Sequence, residues 1–187
     1  MESRARTKRS KYPELDDLFQ KHGYADYKWL DPEKIVVAQW VRMKCMFGCG
    51  EYGKNATCPP NTPTVAECER FFREYRAAAV FHFSKKMKKP EDRHAWTRKV
   101  NLKLFQLERE VFISGYEKAF LLYMDSCYLC TDCTGERKTC QKPRLARPSP
   151  ESMAVDVYRT VRPLGFPIEV LPDYKQAMNR YAILLVE

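Results

Sequence analysis

Residues 93–127 read RHAWTRKVNLKLFQLEREVFISGYEKAFLLYMDSC. Within them Trp96, Val100, Leu104, Leu107 and Val111 recur three or four residues apart, the spacing of one apolar stripe along a helix. The spacing predicts a helix over Arg93–Gly115, with Gly115 as its stop. From Lys118 to Met124 the pattern becomes a short apolar run, which reads as a strand. That strand runs directly into Cys127, so regular structure delivers a cysteine to one place.

The same alternation continues outward. Pro13–His22 predicts a short helix with Leu15, Leu18 and Phe19 on one face, and Lys34–Val41 a strand leading to Cys45. Thr64 and Glu67 have capping-box spacing and open a helix carrying Val65, Cys68, Phe72 and Tyr75. Ala77–Phe83 reads as the next strand. Ser149 and Pro150 suit N-cap and N1 of a helix with Ala154, Val157 and Val161 inward. Ile168–Leu171 and Tyr181–Val186 read as the last strands. The expected class is α/β or α+β, a single mixed sheet of about five strands with flanking helices and two Cys-rich metal-binding loops. A basic arm over residues 1–11 precedes one domain over 12–187, a size that builds its own core.

Eight cysteines in 187 residues fall into two groups of four: Cys45, Cys49, Cys58, Cys68 and Cys127, Cys130, Cys133, Cys140. No apolar export segment follows the basic residues Arg4 to Lys11, and no run approaches the ~18 apolar residues of a membrane span. The expected location is cytoplasmic, where clustered thiols serve metal or redox chemistry rather than disulfides. The net charge of +9 fits an acidic redox partner, a bound anionic cluster or, less favoured, nucleic acid.

Cys127-x-x-Cys130-x-x-Cys133 is the core spacing of bacterial ferredoxins, whose loop curls around a cubane; Cys140 follows after six intervening residues, so this is not the ferredoxin run itself, but it is near enough to close the same site. Zinc sites use separated C-x-x-C pairs or histidine, and His22, His82 and His94 are remote in sequence from both groups. Zinc stays as the alternative metal to two [4Fe-4S] clusters, and reduced structural cysteines as a third reading. The first group is looser, with Cys58 followed by Pro59 and Pro60 in a Gly/Pro-dense loop. Cys68 lies one turn into the Thr64 helix, where ligation and simple packing both fit. With Cys68 the first set is complete and suits electron transfer. Without it, one iron stays open to a small molecule.

Three stretches carry a resemblance: CMFGCGEYGKNATCPPNTP (45–63), LEREVFISGYEKAFLLYMDSCYLCTDC (107–133) and CQKPRLARPSPESMAVDV (140–157). They are similar to the domain-of-unknown-function family numbered 2284, predicted metal-binding proteins. The resemblance covers the chain from about Trp40 onward. It implies a cysteine-ligated metal centre, iron–sulfur in kind, in anaerobic microbial metabolism, and no established reaction.

Three functions follow as expectations: an electron-transfer protein or redox subunit with two clusters, an enzyme with an open iron in lyase or sulfur-transfer chemistry, and a zinc-stabilised nucleic-acid-binding module. Tyr52, Lys54 and Asn55 lie in the first loop, with packing or solvation favoured over substrate contact. Asp125 and Asp132 flank the second without defining a general base. His82, in a strand, reads as a satisfied or surface histidine rather than a ligand, and Trp96 as core. No Walker A, G-x-G-x-x-G or H-E-x-x-H pattern occurs, nor the C-x-x-x-C-x-x-C run of radical SAM enzymes.

Overall fold

The computed structural model describes residues 10–173 and 176–187. The basic residues Arg4, Arg6, Lys8 and Arg9 of the expected arm lie outside the described residues. In chain order the elements are α1 (Pro13–Lys21), β1 (Tyr27–Leu30), α2 (Gln39–Gly48), α3 (Val65–Phe72), β2 (Ala78–Lys86), α4 (Asp92–Ile113), β3 (Phe120–Leu122), α5 (Val157–Val161) and β4 (Ala177–Leu185). The four strands form one antiparallel sheet in the order β1-β2-β4-β3.

The paired inner parts of the two central strands, Ala78–Phe81 and Tyr181–Leu185, read as unbroken apolar runs because both of their faces are covered. Ala79, Phe81, Ala182 and Leu184 point to one side, where Leu15 and Phe19 of α1 and Leu104, Leu107 and Val111 of α4 close the core. Ala78, Val80, Ile183 and Leu185 point to the other, under Cys68 and Phe72 of α3 and Val155 and Val161. Strand periodicity of two therefore divides the side chains between two cores. The edge strands are short, four and three residues, which limits the unpaired backbone offered to other chains.

The long helix is as the apolar stripe predicts, and its polar side adds a second function. Glu108 is buried; its Oε1 accepts the backbone N–H of Leu121 at 2.8 Å and Arg147 Nε at 2.9 Å. Asn101 is fully buried; its Oδ1 accepts Met124 N–H at 3.2 Å and its Nδ2 donates to Ser126 O at 3.4 Å. α4 thus holds the outer edge of β3 and the turn that carries the chain to Cys127.

Four expectations need correction. Among the described residues the sheet has four strands, all antiparallel, rather than about five in a mixed sheet. Residues 168–171 form no strand, lying between Pro167 and Pro172, which lack the backbone donor a ladder needs; Tyr181 Oη instead donates to Pro167 O beside this segment.

Residues 34–41 are not a strand. Asp31 caps a 3-10 turn over Pro32–Lys34, a single bridge joins Val37 to Val155, and α2 starts at Gln39. The apolar run is a strap: Val36 O accepts Asp156 N–H at 2.7 Å and Val36 N donates to Thr160 Oγ1 at 3.1 Å. The true first strand, Tyr27–Leu30, precedes it. Finally, Ser149 does cap a turn, Ser152 N donating to its Oγ at 3.2 Å, but the helix stops at Ala154 with φ 61° and restarts behind a new cap, Asp156.

Candidate metal centre

The two cysteine groups are reached differently. Cys127 follows β3 through Asp125 and Ser126, as expected for a loop leaving a strand. Cys45 instead sits within α2 and Cys49 forms its C-terminal cap, so a helix end, not a strand end, presents the first group. Asp125 has φ 109° and Tyr128 φ 45°, conformations that side chains rarely adopt and that cost roughly 1–3 kcal/mol each. Asn101 and the Asp125 Oδ1–Ser126 N–H bond (2.9 Å) hold this turn in place.

Cys127, Cys130, Cys133 and Cys140 line one hollow of about 350 Å³. Cys45, Cys49 and Cys58 line a second, of about 220 Å³. The hollows adjoin: Glu51 lines both, and Asp125 and Ser126 line the second while Cys127 lines the first. Ala56 N–H points at Cys133 Sγ (3.4 Å), and Cys58 Sγ lies 3.7 Å from Ser126 Oγ. Asn61 stitches the loops together, its Nδ2 donating to Gly135 O at 2.7 Å and its Oδ1 accepting Arg137 N–H at 3.3 Å. At Gly135, with φ 79°, a Cβ would stand 3.2 Å from Gly53 O, so glycine permits the loops' close approach.

Cys68 is elsewhere. It is 0% exposed, packs with Phe72, Val80 and Ile183, and its thiol faces Pro63 O at 3.6 Å. It lines neither hollow with the other seven. All eight cysteines are free thiols. Among the described residues, no group of three or more His, Cys, Asp or Glu is arranged to hold a single metal ion.

Cys45, Cys58 and Cys127 resist ionisation where they stand. Burial pushes Cys58 up to about 11 despite the nearby Ser126 hydroxyl. Burial also raises Cys127, and the neighbouring Cys140, Cys130 and Cys133 add to it. Cys45 is raised by burial and by Cys49 beside it. Metal ligation reverses this order, because a bound cation deprotonates a coordinating thiol.

Other residues singled out in the sequence divide between the hollows. Tyr52 and Asp125 line the three-thiol hollow; Lys54, Asn55 and Asp132 line the four-thiol one. Arg93 Nε lies 3.2 Å from Asp125 Oδ2, an ion pair lacking hydrogen-bond alignment. His82 is satisfied on its strand, with ring nitrogens 2.6 Å from Asp26 Oδ2 and 2.9 Å from Asn179 Oδ1. Trp96 packs at the edge of the core beside Lys85.

Sequence distance concealed His94, which stacks on Tyr128 with ring centroids 4.2 Å apart and lines the four-thiol hollow. It also concealed Glu151 and Arg180, which line the three-thiol hollow. For Arg180 a signal existed: a charge at the head of an otherwise apolar central strand.

Seven free thiols gather around two adjoining hollows, on segments held by an antiparallel sheet and its longest helix. The chain belongs to the DUF2284 family of predicted metal-binding proteins, whose profile matches residues 28–186. No curated protein and no solved structure matches it. Among the described residues no helix is long and apolar enough to cross a membrane.

Proposed function

We propose that this is an iron–sulfur redox protein with two clusters of unequal role. Cys127, Cys130, Cys133 and Cys140 would hold one completely, as an electron relay. Cys45, Cys49 and Cys58 would hold the other, whose last ligand comes from outside the chain. The observation that carries this reading is the separation of Cys68 from its group: three thiols line the hollow and the fourth packs in the core.

The donor chemistry fits iron–sulfur clusters, since each hollow gathers three or four cysteine thiols, beside carboxylates and, in the four-thiol hollow, His94, and the four-thiol set has the C-x-x-C-x-x-C spacing. The hollows, of about 350 and 220 Å³, are also far larger than the ~30 Å³ share of one water. When bound, such clusters supply one-electron transfer, and one with an incomplete cysteine set also supplies a Lewis-acidic iron.

The chain's own groups have definable parts. Lys142 Nζ donates to Leu129 O at 3.0 Å and so braces the four-thiol loop; it also brings positive charge to an anionic centre. Ser126, between the hollows, joins Cys58 to Cys127 through one 3.7 Å contact and one peptide bond. This contiguity favours electron passage between the centres, and the enzyme reading over a simple carrier. Reduced, anaerobically prepared protein should give two EPR signals, and cyanide, a small iron ligand, should shift one and leave the other. Two signals both indifferent to cyanide would return the carrier reading to first place.

A further inference from the structure

A cavity of about 430 Å³ opens beside the three-thiol hollow and shares Cys45, Cys49, Asp125, Glu151 and Arg180 with it. Its size is that of a small-molecule site, within the usual ~300–1,000 Å³. Val41, Val157, Ile168 and Leu171 form apolar walls, and Trp40 and Val170 stand at the mouth, 45% and 78% exposed.

Arg180 is the unexplained group. It is half-buried on the central strand β4, and its Nε is inaccessible to solvent and has no partner. Its guanidinium makes one weak contact, 3.9 Å from Met178 Sδ. Among the described residues it has no ion pair within 4 Å. A guanidinium so placed is costly unless an anion completes it.

The nearby carboxylates are differently engaged. Asp125 pairs with Arg93, and Asp156 Oδ1 accepts Arg159 N–H at 3.0 Å. Lys44 adds a second cation to the cavity lining; Glu151 and Glu169 share that lining with Arg180 and, among the described residues, make no ion pair with it. Their negative charge disfavours a dianion, whereas one flat carboxylate matches the guanidinium fork.

We propose that this cavity binds a small monocarboxylate with an apolar body, its carboxylate on Arg180 and the rest along the apolar walls. The proposal rests on the reading of the adjoining hollow as a metal centre open to a small molecule. It names the class of that molecule.

The test uses hexanoate on anaerobically prepared full-length protein, followed by calorimetry, with hexanamide and hexyl phosphate as controls and iron and sulfide assayed in parallel. Hexanoate should bind, with hexanamide weaker by about 10- to 100-fold, the usual worth of a charge-assisted pair. Arg180→Gln should lose hexanoate binding by a similar factor and keep its iron.

Wild-type protein that binds amide and acid equally, or prefers hexyl phosphate, overturns the proposal without needing the variant. Iron-loaded protein that ignores hexanoate overturns it while leaving the metal reading intact, and Arg180→Gln losing iron there would assign Arg180 to the centre's charge. Arg180-dependent hexanoate binding by protein without iron supports the carboxylate site and removes the metal reading alone.

Discussion

Replacing Cys68 with alanine removes one sulfur from a site with no solvent exposure, and the energetic cost can be worked from its surroundings. The buried cluster it belongs to includes Phe72, Val80 and Ile183 on a helix and two central strands, which cannot collapse far into the gap. The lost transfer energy is about 1 kcal/mol for one small apolar group. A residual void on the order of 25 Å³ adds about 0.6 kcal/mol at 24 cal/mol per Å³. The hydrogen bond to Pro63 O, at 3.6 Å, adds little because a thiol is a weak donor.

The expected total is about 1–2 kcal/mol, or roughly 2–8 °C in melting midpoint for a chain of this size. Iron and sulfide contents should match the parent, as should the EPR signals of the anaerobic protein. Loss of about half the iron, or a three-iron signal, would show that Cys68 is a ligand and refute the assignment to packing.

Two further predictions concern how the site is held. Arg147→Met leaves Glu108 buried without its cation, at a cost of about 3–5 kcal/mol near neutral pH. Burial already raises the Glu108 carboxyl above its ordinary 4.5, so its contribution to stability is present below that pH and lost as pH rises through the folded value. Denaturation at several pH values should show the variant's deficit shrinking toward acid, and Glu108→Gln with Arg147→Met should recover part of it; a pH-independent deficit would contradict this. Asn101→Ala strips an acceptor from Met124 N–H and a donor from Ser126 O, costing about 1–3 kcal/mol. It should also speed iron loss to a chelator, because the Asp125–Cys127 turn loosens; an unchanged rate would separate that turn from the centre.

The elements legible in the sequence were those with strong local chemistry. α3 carries the full capping box, with Thr64 Oγ1 accepting Glu67 N–H and Thr64 N donating to the Glu67 carboxylate. α4 follows its apolar stripe, and the central strands follow their β-branched and apolar runs. The errors came where long-range partners decide. Ile35, Val36 and Val37 have a strand's composition, but Asp31 and Pro32 start a turn beside them and Thr160 and Asp156 take their hydrogen bonds. Of the site, each cysteine group was visible from spacing. The departure of Cys68, the adjacency of the two hollows and the arrival of His94 depend on tertiary folding, which leaves no local pattern; the charge of Arg180 beside the apolar run Tyr181–Val186 was the one visible mark.

The central claim is that these thiols hold iron–sulfur clusters, and iron, zinc and acid-labile sulfide per chain in anaerobically purified protein test it most directly. The account predicts about eight irons and eight sulfides, two cubanes' worth, with zinc well below one per chain. Stoichiometric zinc without sulfide would contradict it.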